Sequence, residues 1–180
     1  MTTETTTRRL RDALGAFPTG VVITTAWAPR VGAIGMTMNS FTSVSLDPPM
    51  ILFSIDRRCQ SLAHWRQAPG YAINVLACGQ EQLSNQFARP RSDKWRGVRF
   101  RPGLHEAPLL EDALATFECT AHRQLDGGDH VMFLAGVARF SCRPDASPLV
   151  FHRGGYTTLN RSYAPAEPGL ASGWPLPIHY

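Results

Sequence analysis

Six short hydrogen-bonding side chains lie within nine consecutive residues of this sequence: Thr37, Asn39, Ser40, Thr42, Ser43 and Ser45. They fall within residues 35–49, between two apolar runs that are typical of strands. Asparagine offers a donor and an acceptor together, and serine and threonine offer rotatable hydroxyls. Such a run can match the polar edge of a heterocycle or the oxygens of a phosphate without adding charge. A polar connection between two strands would have the same composition, so both interpretations stay open on these residues alone.

A second candidate group follows the apolar run at residues 50–55. Its members lie at the end of that run and just beyond it: Ser54, Ile55, Asp56, Arg57 and Ser61. Hydroxyls, an arginine cation and the start of a short helix at Ser61 can bind a phosphate. Because charged residues are also common where a strand meets solvent, Arg57 and its neighbour Arg58 fit a surface role equally well.

The stretch from residue 89 to 103 is strongly basic. It holds six lysines and arginines and one acid, Asp93. Arg89 and Arg91 begin it, and they fit either an anion-binding role or a solvated basic loop. The net charge of the chain is +4. A positive charge attracts anions in general, so it does not choose between nucleotides, phosphorylated cofactors and nucleic acid.

One histidine follows a glycine-rich turn. His130 comes directly after Asp126-Gly127-Gly128-Asp129, whose glycines can supply the positive φ angles of a tight hairpin. Histidine titrates near neutral pH and can orient or polarise a ligand, but a lone histidine is more often structural. The six histidines have no metal-ligand spacing and the four cysteines form no C-x-x-C pair, so no metal site is assigned.

Hydrophobic patterning predicts the elements that position these residues. Short β-branched and apolar runs predict seven strands, at residues 20–26, 32–38, 50–55, 71–76, 115–125, 130–142 and 148–152. The run at 50–55 is continuously apolar, which is typical of a strand buried on both faces. Capping residues and apolar spacing predict three short helices, at 7–14, 61–66 and 79–88. These helices are too few and too short for regular βαβ crossovers, so a mainly β, antiparallel barrel with a few short helices is favoured.

Length and composition indicate one globular domain. The chain has 180 residues, of which 43% are hydrophobic. Residues 1–160 are predicted to form the domain, and residues 161–180, with four prolines, a tail that docks on the body or a partner or is loose. No apolar run approaches the ~20 residues needed to cross a bilayer, and the polar start lacks a signal-peptide stretch. A soluble cytoplasmic protein with no membrane contact is therefore expected.

Several common catalytic and nucleotide-binding motifs are absent from the sequence. It contains no G-x-G-x-x-G after a strand, no G-x-x-x-x-G-K-[ST], no H-E-x-x-H and no G-x-S-x-G. Rossmann, P-loop, zinc-protease and serine-hydrolase sites therefore lose their usual support. A pyridine nucleotide, if the protein uses one, is not held by a Rossmann fingerprint.

Five separated segments, taken together, resemble the short-chain flavin reductases. They are residues 35–49, Asn74-Val75-Leu76, Leu83-Ser84 with Phe87-Ala88, Gly128-Asp129-His130, and His152-Arg153-Gly154-Gly155-Tyr156. They occur in the family's order and cover roughly residues 8 to 160, whereas any one of them alone would be weak. The resemblance implies a Greek-key split β-barrel, usually a homodimer, that uses NADH or NADPH to reduce FMN or FAD. Many family members supply the reduced flavin to a separate monooxygenase.

The resemblance also implies roles for single residues. Met36, Thr37, Asn39 and Ser40 match the part of the motif that meets the edge of the isoalloxazine ring. The cofactor-binding set further includes Asn74, Ser84, Phe87, Arg89 and Tyr156, with Ser54, Ile55, Asp56, Arg57 and Ser61 towards the phosphate. His130 matches the histidine close to flavin and nicotinamide, where it would orient or polarise the rings during hydride transfer. A half-buried structural tyrosine remains an alternative for Tyr156.

Two other functions stay open at this point. A non-enzymatic flavin- or haem-binding split-barrel protein would retain its cofactor without nucleotide turnover. The basic stretch with Trp95 and Phe100 would instead suit a nucleic-acid surface, although these rings are expected to anchor the loop rather than stack on bases. The favoured interpretation is an NAD(P)H-dependent flavin reductase with no nucleic-acid partner.

Overall fold

A computed structural model of the protein describes residues 3–90 and 93–159. The strands formed by these residues are β1 (Thr19–Gly20), β2 (Val22–Ala28), β3 (Gly32–Met38), β4 (Thr42–Leu46), β5 (Pro49–Asp56), β6 (Gly70–Val75), β7 (Phe100–Pro102), β8 (Pro108–Leu110), β9 (Ala115–Gly127), β10 (His130–Cys142), β11 (Val150–His152) and β12 (Gly155–Thr157). The helices are α1 (Thr3–Leu14), α2 (Leu62–Gln67) and α3 (Glu81–Ala88), with a 3₁₀ turn at Leu104–Glu106. The predicted tail, residues 161–180, lies outside the described residues.

Seven antiparallel strands form the main sheet, in the order β3-β2-β6-β9-β10-β5-β4. β3 and β4 are its two edges, and within residues 3–90 and 93–159 they do not pair, so this sheet is not closed. A smaller sheet, β1-β11-β12, and a two-stranded sheet, β7-β8, complete the β structure. The predicted mainly β, antiparallel architecture with three short helices is confirmed.

Aromatic side chains from three strands and α2 fill the centre of the main sheet's inner face. Phe53 of β5 stacks on Phe133 of β10 with centroids 5.1 Å apart, and Tyr71 of β6 meets Phe53 edge-on at 5.0 Å. Trp65 of α2 packs beside them and is fully buried. Burial raises the pKa of Tyr71 to about 12. Aromatic pairs in these geometries add about 0.5–1.5 kcal/mol each beyond the area they bury, so they stabilise the strands that carry the site.

Burial along β5 differs from the sequence prediction. Ile51, Phe53 and Ile55 are buried, but the residues between them are only half-buried, so the strand is not buried on both faces. The physical reason is that β5 belongs to an antiparallel sheet with one face on the core, whereas continuous apolar runs are typical of sheets covered on both sides.

Four strands were missed by the sequence prediction, β4, β7, β8 and β12, and the short β1 was not separated from β2. The predicted strand at 32–38 is confirmed as β3, but the residues that follow it are not mainly a loop, because Thr42–Leu46 forms the edge strand β4. β12 was missed as well, since the predicted last strand at 148–152 is only the first arm of the hairpin β11–β12. The first helix begins at Thr3 rather than at residue 7. None of the helices in the described part of the chain is long and apolar enough to span a bilayer.

Candidate functional site

The β3 cleft is the first of three neighbouring cavities at the end of β3 and has a volume of about 650 Å³. β3 contributes Met36 and Thr37 to its wall. The segment between β5 and α2 contributes Arg58, Cys59 and Ser61. Three of the residues predicted for cofactor binding, Met36, Thr37 and Ser61, therefore line one cavity.

The tyrosine pocket is smaller, about 200 Å³, and is lined by Thr37, Asn39, Ser84 and Tyr156 among others. The hydroxyls of Ser84 and Tyr156 lie 2.8 Å apart, and Tyr156 also donates to Asn85 Oδ1 at 3.2 Å. Thr37 donates its hydroxyl to the carbonyl oxygen of Ser84 at 2.6 Å. β3, α3 and β12 are thus joined by side-chain hydrogen bonds among residues that the sequence singled out from separate segments.

The histidine cleft, about 970 Å³, lies between the end of α1 and the β11–β12 hairpin. Asn39 and His130 line it together with two arginines, Arg11 and Arg153. Thr19 lines it too, and its hydroxyl is the one buried side-chain polar atom in the described residues without a hydrogen-bond partner. A buried hydroxyl without a partner is costly, so a ligand in this cleft that bonds to Thr19 would relieve a real penalty.

Two residues connect the three cavities. Thr37 lines both the β3 cleft and the tyrosine pocket, and Asn39 lines both the tyrosine pocket and the histidine cleft. The β3 cleft and the histidine cleft fall within the roughly 300–1,000 Å³ typical of small-molecule sites. The arrangement can hold a flat heterocycle along the end of β3 with His130 beside it.

His130 is oriented by the residue before it. Its Nδ1 lies 2.7 Å from Asp129 Oδ1, and its side chain is 42% exposed. The hydrogen bond from His130 lowers the pKa of the Asp129 carboxyl. Because one ring nitrogen is engaged by Asp129, Nε2 is the nitrogen left for a ligand.

The residues predicted to bind phosphate have different partners in the structure and do not form one group. Arg58 donates its backbone N–H and its guanidinium to the Asp56 carboxylate, at 2.7 and 2.6 Å, and the side-chain bond is the main cause that holds the pKa of Asp56 well below its usual range. Arg57 is bound to the β9–β10 turn instead. Ser54 and Ser40 bond to one another, since the backbone N–H of Ser54 donates to Ser40 Oγ and that hydroxyl donates to the Ser54 carbonyl, both at 3.1 Å.

Three of the predicted residues lie in the core and line none of the three cavities: Ile55, Asn74 and Phe87. Asn74 is fully buried, donates to the Ile23 carbonyl at 3.0 Å and accepts from Leu110 N–H at 2.8 Å. These bonds tie β6 to β2 and to β8. Phe87 packs against Gly35, where an added Cβ would lie 2.5 Å from the ring.

Arg89 lies outside the three cavities as well. It lines a surface depression of about 400 Å³ that also contains Arg96. Arg91, which the sequence grouped with it, is outside the described residues. Arg89 therefore does not line the β3 cleft, although Ala88 and Pro90 on either side of it do.

Sequence reasoning missed the residues that close the β3 cleft. Lys94 donates to the carbonyl oxygens of Phe87 and Gly35, at 2.7 and 3.2 Å, and burial lowers its pKa. Trp95 donates its Nε1–H to the Ala33 carbonyl at 2.9 Å and packs edge-on against Phe87. The expectation that Trp95 anchors its loop is confirmed. Lys94 had no local signal, but Arg153 stands inside one of the five segments and could have been included.

The chain is similar in sequence to a known protein family over most of its length. The model of the family "Flavin reductase like domain" matches residues 14–160. A probable flavin reductase of Rhizobium meliloti (strain 1021) is 42% identical over 151 residues, which are 84% of this chain and 48% of that protein. The chain spans 48%, 64% and 50% of the length of three curated relatives that it matches.

Two solved structures have the same fold over nearly their whole length. Nitrilotriacetate monooxygenase component B from Mycobacterium thermoresistibile is 32% identical with a TM-score of 0.86, covering 92% of this chain and 94% of that one. The Streptomyces globisporus C-1027 NADH:FAD oxidoreductase SgcE6, in complex with NAD and FAD fragments, is 33% identical with a TM-score of 0.84, covering 91% and 99%. An open antiparallel sheet whose edge strand borders largely apolar clefts with a few polar side chains is typical of a ligand-binding β protein. This chain belongs to the flavin reductase like family.

Proposed function

We propose that this protein is an NAD(P)H:flavin oxidoreductase that reduces FAD or FMN and supplies free reduced flavin to a separate flavin-dependent monooxygenase. The observation that carries the proposal is the position of Asn39, which lines both the tyrosine pocket and the cleft containing His130. Support for a partner oxygenase comes from a 32% identical structure that is itself a monooxygenase component.

The residues present fit a flavin. Met36 and Thr37 line the β3 cleft and Asn39 lines the adjoining tyrosine pocket, so the three can border the ring, and Ser40 is the next residue of the chain. Ser61 and Arg58, which line the β3 cleft, would supply a hydroxyl and a cation for the ribityl phosphate, with Arg58 held by its ion pair to Asp56. Tyr156 and Ser84 would border the ring in the tyrosine pocket, which adjoins the β3 cleft at Thr37.

The histidine cleft fits a nicotinamide nucleotide. Arg11 and Arg153 provide positive charge for its phosphates, and the Thr19 hydroxyl provides an unused donor. When bound, the nicotinamide nucleotide supplies two electrons with a proton, and the flavin accepts them. The residues of the adjoining cavities would hold the two rings near one another, and His130, oriented by Asp129, would polarise them through its second ring nitrogen.

Separate assays of NADH and NADPH with FAD, FMN and riboflavin test this function. We expect flavin-dependent oxidation of at least one nucleotide, and reduced flavin that is released into solution and reduces cytochrome c. Tight retention of flavin or haem without turnover would instead identify a non-enzymatic binding protein, and no flavin-dependent turnover with either nucleotide would contradict the proposal.

The finer fold assignment is also a proposal. We propose that the open seven-stranded sheet is a Greek-key split barrel, that residues 1–160 form the single domain and that residues 161–180 are a tail. The bonds between Ser40 and Ser54 support the barrel, because they fasten the connection between the edge strands β3 and β4 to β5. We further place the protein in the cytoplasm, where its four free cysteines would stay reduced.

A homodimer is proposed from an aromatic row that leads from the edge of the main core to the surface of the protein. Phe41 packs on Phe117 with centroids 5.8 Å apart, and Phe117 packs on Phe140 at 6.5 Å. Phe140 is 76% exposed. A row that runs from half-buried to exposed rings suits the same row of a second copy, since a two-fold interface is self-complementary.

A further inference from the structure

Arg57 makes three hydrogen bonds to the β9–β10 turn. Its backbone N–H donates to the Asp129 carbonyl at 2.9 Å, and its Nε–H donates to the Gly128 carbonyl at 2.9 Å. Its terminal guanidinium nitrogen pairs with the Asp126 carboxylate. Every residue from 126 to 129 except Gly127 thus accepts a bond from one arginine.

These bonds extend the pairing of β5 and β10 beyond its last regular pair. Asp56 is the register partner of His130, and Arg57 is the next residue of the chain. The turn itself has few other supports, since it consists of two exposed residues and relies on Gly128 at φ 70°. A turn of this kind would otherwise leave its carbonyls to water, so Arg57 restricts its motion.

We infer that Arg57 is a positioning residue that fixes the turn containing Asp129, which orients His130 in the histidine cleft. The inference rests on the proposed function for its catalytic consequence. Arg57 does not line any of the three cavities of the site, and its Nε and one terminal nitrogen are engaged by the turn. Arg58 also binds a carboxylate, that of Asp56, through its Nε and one terminal nitrogen, but it lines the β3 cleft and is therefore the arginine of this pair that is placed to meet a flavin phosphate.

A comparison of two flavins distinguishes a positioning role of Arg57 from a phosphate-binding role. Riboflavin and FMN differ by the phosphate, so a phosphate-binding arginine affects KM for FMN and not for riboflavin. A positioning arginine acts on kcat, by the same factor with both flavins, because the reacting rings are identical. Misplacement of a reacting group by a fraction of an ångström lowers the rate by roughly tenfold, and Arg57→Ala should lower kcat by about that factor with either flavin.

The experiment compares Arg57→Ala, Arg57→Lys, Arg58→Ala and the control Arg123→Ala, an exposed arginine on β9, in steady-state assays with FMN and riboflavin. We expect Arg57→Ala to lower kcat equally for both flavins with KM for FMN unchanged. Arg57→Lys should recover little, because one ammonium cannot replace the arginine fork. Arg123→Ala should match the wild-type protein. A rise in KM for FMN alone in Arg57→Ala would overturn the inference.

A second measurement does not depend on turnover. Hydrogen exchange of the amides of residues 126–130, and the side-chain ¹⁵N shifts of His130, are recorded for the wild-type protein and Arg57→Ala. Faster exchange and a changed His130 spectrum are expected. Unchanged exchange and spectrum would refute the inference even if the wild-type protein is active, whereas loss of protection in a protein without flavin turnover would refute only the proposed function.

Discussion

Thr37 of β3 donates its hydroxyl to the carbonyl oxygen of Ser84 in α3, at 2.6 Å. Ser84 in turn bonds to Tyr156 on β12 through its own hydroxyl. Three segments that are distant in the chain therefore meet at one buried serine. The position of the edge strand β3 relative to α3, and with it the shape of the tyrosine pocket, depends on this junction.

Replacing Tyr156 by phenylalanine tests the junction. The substitution leaves the Ser84 hydroxyl buried with no partner from residue 156, so we expect a loss of about 1 kcal/mol in the free energy of unfolding and a higher KM for flavin. Urea denaturation and steady-state kinetics measure the two effects. Adding Ser84→Ala should restore part of the stability, because both polar partners are then gone. An unchanged stability in Tyr156→Phe would show that the bond contributes nothing.

His130→Ala should separate catalysis from folding. We expect kcat for flavin reduction to fall by about ten- to hundredfold, because the polarising ring nitrogen is lost. Since His130 is 42% exposed, the melting temperature should hardly change. His122→Ala, on the exposed part of β9, is the matched control and should behave as the wild-type protein. Equal losses of stability and activity would make His130 structural.

Gly35→Ala should destabilise the wall of the β3 cleft. The added Cβ would lie 2.5 and 2.8 Å from two ring atoms of Phe87, which is fully buried and held edge-on by Trp95. Overpacking of this kind costs about 1–3 kcal/mol in unfolding free energy, measured by urea denaturation. Gly136→Ala on β10 has no heavy atom within 4 Å of the new Cβ and should be tolerated. Tolerance of both changes would mean that Phe87 can move aside.

Stability should fall in acid through Asp56. The Arg58 hydrogen bonds lower the pKa of the folded-state Asp56 carboxyl from an ordinary value of 3.8. A lowered folded pKa means that the stabilisation is fully present above the unfolded pKa and is lost as the pH falls towards the folded pKa. Between about pH 5 and 3, the melting temperature should therefore fall less steeply with decreasing pH for Asp56→Asn than for the wild-type protein. Asp129, whose pKa is lowered by His130, contributes with the same sign. If the melting temperatures of the two proteins fall equally, groups other than Asp56 cause the acid sensitivity.

Phe140→Asp should convert the proposed homodimer to a monomer. A carboxylate placed on the aromatic row would be desolvated in the interface without a partner. Sedimentation velocity of both proteins measures the change, and Val31→Asp, at a half-exposed apolar position in the β2–β3 turn, serves as the control. A wild-type protein that is monomeric at all concentrations would contradict the proposed interface.

The sequence predicted the central strands well because their apolar runs are local. The hairpin from β9 to β10 follows from Asp126-Gly127-Gly128-Asp129, although only Gly128 of the two glycines has positive φ. β4 could not be predicted in the same way. It is a short edge strand whose two alternating apolar residues, Val44 and Leu46, are exposed, so its pattern does not mark a face buried against the core.

The sequence predicted several residues of the candidate site correctly, but it did not predict how all of the candidate residues are arranged in space. Thr37, Asn39, Ser84 and Tyr156 converge, as expected from their motifs. Asn74 stands in an equally suggestive motif, yet its amide serves the backbone of β2 and β8. Whether an asparagine faces a ligand or a buried backbone depends on strands far apart in the chain, and no local pattern carries that information. Lys94 was missed for the same reason, since its partners lie in β3 and α3.

Lys94 and Trp95 also protect the protein from association. β3 is an edge strand, and edge strands with free backbone groups recruit strands of other molecules and aggregate. Trp95 donates a hydrogen bond to the Ala33 carbonyl, and Lys94 donates one to the Gly35 carbonyl. These two carbonyls belong to alternate residues along this edge. An incoming strand would have to displace an indole and an ammonium to begin pairing there. The wall of the β3 cleft thus also keeps other molecules from pairing with the edge strand β3. If it is weakened, the first measurable effect should be a loss of solubility on heating.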